Sequence, residues 1–118
     1  MEKLISLLFF IRNYTHLEHL NTAGYGHHMV LDEFYEEIIE LTDELVEMYI
    51  GKNGPLGEVP IMTNKPSGTV IDVLRAQVEW IEKNRYKVCD KDDAAMQSLV
   101  DPIVVLFYQT IYKLSRLK

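Results

Sequence analysis

At 118 residues, the chain is long enough for one domain with a single core and little to spare. Its 47% hydrophobic and 25% charged residues are ordinary globular composition, which argues against disorder. A net charge of -6, with no run of Lys or Arg, excludes the broad cationic footprint of a nucleic-acid binder.

The apolar run near the N-terminus, Leu4 to Phe10, is too short to span a bilayer, and no small-residue cleavage site follows it. Cys89 is the single cysteine, so no intrachain disulfide forms. It has no CxxC partner and no adjacent His, and reads as a bland thiol in a reducing compartment. The expected location is the cytoplasm, with no membrane contact.

Leu4, Leu7, Leu8 and Ile11 recur at spacings of three and four, predicting a helix over about residues 2–20. "NTAGYG" breaks it, since Gly24 and Gly26 favour a turn. A second helix over 27–50 carries Leu31, Phe34, Ile38, Leu41, Leu45 and Met48 as its core stripe. Residues 51–68 hold four glycines and three of the four prolines and predict a long loop. Thr69 and Asp72 then resemble a capping box opening a third helix over 69–86, with Ile71, Leu74, Val78 and Ile81 inward. "VCDKDD" separates it from a fourth helix over 92–117, with Asp92 as the expected N-cap and Met96, Leu99, Ile103, Phe107 and Ile111 inward. Pro102 should kink that helix near Ser98. No period-2 run suggests a strand. The expected fold is one all-α domain, 1–118: two helical hairpins joined by a crossover long enough for an up-down-down-up four-helix bundle.

All four histidines, His16, His19, His27 and His28, precede an acidic helix that holds no Lys or Arg from Met29 to Ile50. At about 100° per residue from His28, Asp32 lies at about 40°, Asp43 at about 60°, Glu36 at about 80°, Glu47 at about 100° and Glu40 at about 120°. A solvated acidic face is the plain reading. Yet like charges at i,i+4 (Asp32/Glu36, Glu36/Glu40, Asp43/Glu47) disfavour a helix, and a bound cation would relieve them. Imidazole with carboxylate suits iron, zinc or manganese better than calcium. His28 and Asp43 are separated by about 22 Å of helix, too far to share an ion within one chain. Two copies of this helix set antiparallel about a two-fold axis near Glu37/Ile38 bring His28 and Asp32 of one level with Glu47 and Asp43 of the other. His16 joins if the first helix folds back beside the second.

The series His16, His28, Asp32, Asp43 and Glu47, at intervals of 12, 4, 11 and 4, resembles the ferroxidase motif of the mini-ferritins, the Dps family. The segment "LDEFYEEIIELTDELVE" is similar to that family's second helix, and the compact chain looks closer to its phage-type members. The resemblance implies a ferritin-like bundle that is at least a homodimer, or a larger shell. It also implies that His16, His28 and Asp32 of one subunit bind iron together with Asp43 and Glu47 of its mate. Fe(II) would be oxidised there by peroxide or O₂, making the protein a ferroxidase for iron sequestration or oxidative protection. Zinc or manganese could stand in for iron. The Lys-rich N-terminal tail that many members use on DNA is missing, so DNA binding is not expected.

Imidazole ligands need partners for their other ring nitrogen, and Thr15 and Glu18 are near in sequence. His19 and His27 are set aside as ligands, and Glu36 and Glu40 read as a charged dimer face or an iron path. Trp80 is expected to pack between helices; it and Tyr14, Tyr25 or Tyr35 could also take up an oxidising equivalent. Phe107, Tyr108 and Tyr112 read as core or an oligomer face. The competing expectations are a helical dimer whose acidic face meets a basic partner without redox chemistry, and a ferritin-like protein that binds metal without turnover.

Overall fold

The structure, a computed structural model, describes residues 1–117, which form four α-helices with no strand among them. α1 spans Glu2–Asn21, α2 Tyr25–Asn53, α3 Val70–Val88 and α4 Ala94–Arg116. The all-α class and the two hairpins agree with the sequence pattern, while the helix limits shift by up to three residues. α2 begins at Tyr25 because Gly24 takes the N-cap with extended backbone. The expected breaker Gly26 lies inside α2 and serves packing instead: a Cβ there would meet Leu117 Cδ2 at 2.8 Å. At its far end α2 runs through Gly51 to Asn53 and stops at Gly54, whose φ of 89° suits glycine alone. α4 is capped by Asp93, not Asp92, and continues through Pro102 to Arg116.

α1 packs against α2 and α3, and α4 packs against the same two. The crossover, residues 54–69, retraces α1 from start to end. Gly57 N–H donates to the Glu2 carboxylate at 2.9 Å, and the Ser6 hydroxyl donates to the Pro60 carbonyl. Met62 to Pro66 then border a groove beside Phe10, Tyr14 and Leu17. α3 therefore starts where α1 ends and runs parallel to α2, giving the up-down-down-up order.

The expected stripes form the core: Leu4, Leu7, Leu8 and Ile11; Leu31, Phe34, Ile38 and Leu45; Leu74, Val78 and Ile81; Met96, Ile103, Phe107 and Ile111 are all buried. Leu41, Met48, Ile71 and Leu99 are only half-buried. In α2 the inward place goes to Thr42, whose hydroxyl donates to the Ile38 carbonyl at 2.7 Å. A strict seven-residue repeat drifts off the inward face of a straight helix by about 20° per repeat, and this carries Leu41 and Met48 to the rim. Trp80 packs against the core edge with the Lys3 ammonium over its ring, and of the α4 aromatics Phe107 is core while Tyr108 and Tyr112 are exposed. α4 is long and apolar enough to cross a bilayer by length and composition, but its apolar residues Met96, Ile103 and Phe107 are committed to the core.

The capping box of α3 forms as predicted. Thr69 Oγ1 accepts from Asp72 N–H at 3.2 Å, and Asp72 Oδ2 accepts from Thr69 N–H at 3.0 Å. The bond from Thr69 N–H, above all, holds the Asp72 carboxyl below its ordinary range. Thr69→Ala is expected to lower stability by about 1 kcal/mol in thermal melts. A group with a lowered folded pKa stabilises above its unfolded value, so the Asp72 contribution disappears as pH falls through the carboxylate range.

The other end of α3 is closed by a side chain of α4. The buried Gln97 amide NH₂ is shared among the carbonyls of Arg85, Cys89 and Asp90 at 3.1–3.3 Å. Its Oε1 accepts from Arg85 Nε at 2.7 Å, and Arg85 also reaches Asp101 at 2.6 Å. The half-buried Cys89 thiol donates to the Arg85 carbonyl, and burial pushes its pKa up.

Candidate functional site

The three-residue turn between α1 and α2 fixes which residues meet across the hairpin. Thr22 N–H donates to Glu18 O and ends α1, and α2 restarts at Tyr25. This register sets His19 opposite His28. Their rings stack with centroids 3.7 Å apart, and each Nδ1 bonds the other residue's backbone carbonyl, at 2.7 and 2.8 Å. A carbonyl oxygen only accepts, so each Nδ1 carries the hydrogen. In the neutral rings both Nε2 atoms then hold the free lone pair, the arrangement that prepares a histidine to bind a metal.

One turn back on α1, the His16 ring lies flat on Tyr35 at 4.1 Å. The Tyr35 hydroxyl donates to Asp32 at 2.9 Å, and this bond, foremost, raises the phenol's pKa. Arg12 covers the same ring at 5.2 Å. His16, His28 and Asp32 are half-buried and share this cluster with His19, which is only 7% exposed. His19, set aside as a ligand, is the buried partner of His28. The signal was available in the sequence, since His19 and His28 flank the turn and His19 follows His16 by three. For His19 and His28 the Nδ1 partners are backbone carbonyls, not Thr15 or Glu18. The Thr15 hydroxyl is turned to the carbonyls of Ile11 and Arg12 within α1. His27 sits beside the turn, where a Cβ on Gly24 would meet its Nδ1 at 3.2 Å.

Asp43 and Glu47 are exposed farther along α2, with Asp43 about 16 Å beyond Asp32 by helical rise. The chain does not bring them to the histidines. Among the described residues, no three His, Cys, Asp or Glu side chains of one chain are placed to hold a metal ion.

Fold and site together define the class: an all-helical four-helix protein with an interlocked histidine pair at one hairpin end and an acidic second helix. The chain belongs to the family of unknown function DUF5856, whose pattern matches residues 19–114. It is also similar to the "Uncharacterized 14.6 kDa protein in mobD-ri intergenic region" of Enterobacteria phage T4. The two are 30% identical, over 97% of this chain and 87% of the relative. No solved structure matches the chain.

Proposed function

We propose that the protein acts as a homodimer that binds Fe(II) between copies and oxidises it with peroxide or O₂, on a ferritin-like bundle akin to the mini-ferritins. One observation carries this reading: the His19–His28 lock holds two imidazoles in the tautomer that offers Nε2 to a metal. His16, His28 and Asp32 supply one half of the site, and His19 joins them as the group that orients His28. Asp43 and Glu47 of the second copy supply the carboxylates that favour the harder Fe(III) product. Two Fe(II) give up one electron each to one peroxide, which takes up two protons from solvent and leaves as two waters; O₂ takes the same two electrons and two protons and leaves as peroxide. The single half-buried cysteine fits a reducing, cytoplasmic setting.

A second reading, a dimerisation module without redox turnover, has its own support. Within one chain, Asp32 already accepts from Tyr35 and His16 already stacks on it, so these groups are satisfied without a metal.

Fe(III) absorbance after addition of Fe(II) and peroxide separates the two. The wild type is expected to oxidise iron above the buffer rate, and His28→Ala and Asp43→Ala each to lose this activity. Mixing the two variants should restore one of the two sites per mixed dimer, because one chain in each then donates intact histidines to intact carboxylates of the other. Oxidation no faster than buffer, with zinc or manganese equally unbound, would leave the dimerisation module.

A further inference from the structure

We propose that Arg12 sets the pairing of two copies: its guanidinium meets Glu36 and Glu40 of the second copy across the two-fold axis. This rests on the dimer reading above and adds the contact that fixes its register.

Between Lys3 and Lys52 the hairpin carries nine acids (Glu18, Asp32, Glu33, Glu36, Glu37, Glu40, Asp43, Glu44 and Glu47) and one base, Arg12. Despite that surplus, Arg12 makes no ion pair among the described residues, and neither do Glu36 and Glu40. Its guanidinium bonds only the neighbouring Asn13 side chain and covers the Tyr35 ring. The surface around it is built for contact. Arg12 lines a groove of about 510 Å³ with Phe9, Ile39, Ile61 and Met62, where Phe9 is 43% and Ile61 89% exposed.

Arg12 lies level with Tyr35 on the hairpin. An antiparallel partner centred near Glu37/Ile38 brings its Glu40 level with Tyr35 and its Glu36 level with Ile39. Two acidic helices facing each other would repel without a counter-charge, and like charges across an interface cost several kcal/mol. Lys113 of α4 is already paired with Glu33, which leaves Arg12 as the one base of the hairpin between Lys3 and Lys52 to supply it, and symmetry makes the contact twice.

Sedimentation velocity over a concentration series tests this, without metal and with Fe(II) under anaerobic conditions. Arg12→Glu is expected to raise the dimer Kd by about tenfold or more, as for a desolvated charge pair. Arg12→Gln should shift it in the same direction, by less. Adding Glu40→Arg to Arg12→Glu should recover most of the loss, which a merely structural role for Arg12 would not allow. Circular dichroism confirms that each variant is folded, and Arg12→Gln decides if the charge reversal is not. A wild-type dimer whose Kd is unmoved by these substitutions overturns the role of Arg12 and leaves the shared site standing. A wild type that is monomeric in both conditions overturns both.

Discussion

Phe34→Ala is expected to lower the unfolding free energy by about 3–5 kcal/mol, the range for emptying a buried aromatic site. Phe34 is fully buried in α2 and meets Phe107 of α4 edge to face, with centroids 5.3 Å apart and planes at 83°. The substitution removes the transfer energy of the ring and the aromatic contact. It also leaves a void that two long helices cannot close without moving. Against a typical total of about 5–15 kcal/mol, the loss takes much of the stability. Urea titration followed by circular dichroism measures it. Phe34→Leu, which keeps most of the volume, should cost about 1.5 kcal/mol or less. A loss below about 1 kcal/mol for the alanine variant would mean that the α2–α4 seam does not have this packing.

Gln97→Glu is expected to cost about 3 kcal/mol or more, although it places a carboxylate beside an arginine. Two effects compete there. Arg85 would attract the new charge, but its guanidinium already serves Asp101. The position now held by the Gln97 NH₂ faces three carbonyl oxygens within 3.3 Å, and a carboxylate oxygen has no hydrogen to offer them. The attraction is shared with Asp101 while the repulsion is threefold, so the repulsion wins. Gln97→Leu removes the donor without adding charge and should cost about 1–3 kcal/mol. The pH dependence separates the causes. The carbonyls disfavour the charged form of the new carboxyl, raising its folded pKa. Stability is then recovered as pH falls below the ordinary glutamate value of about 4.3, and lost as pH rises. Thermal melts of Gln97→Glu should therefore approach the wild type in acid, whereas those of Gln97→Leu should not. A pH-independent gap would put the damage in packing.

Helical periodicity made the four elements and most of the core legible, because a 3.6-residue repeat reports which face of each helix turns inward. Local chemistry made the Thr69–Asp72 cap legible, since both partners lie within one turn. What the repeat does not encode is which residues meet between helices. Gly26 looked like a chain breaker, yet it is a helical position kept bare for Leu117. His19 looked redundant as long as each helix was read alone. Its partner is set by the length of the turn, which brings residue 19 level with residue 28, and the backbone carbonyls that accept from both rings leave no trace in residue identity. Tyr35 was legible only as one of several aromatics able to take up an oxidising equivalent. Its place between His16, Asp32 and Arg12 comes from α1 folding back on α2.

The crossover along α1 has an electrostatic consequence. By carrying the chain back to the end where α2 began, it makes α2 and α3 parallel but sets them on a diagonal, since each packs against α1 and α4. Every adjacent pair of helices then runs in opposite senses, and the partial charges at neighbouring helix ends oppose one another across the roughly 8–10 Å between packed helices. The backbone contributes almost no field at a distance. Attraction of a dissolved cation toward the molecule is left to the side chains, whose sum is -6. That pull fades with added salt, so the rate at which metal ions reach the surface should fall steeply with ionic strength while the folded framework stays indifferent to it.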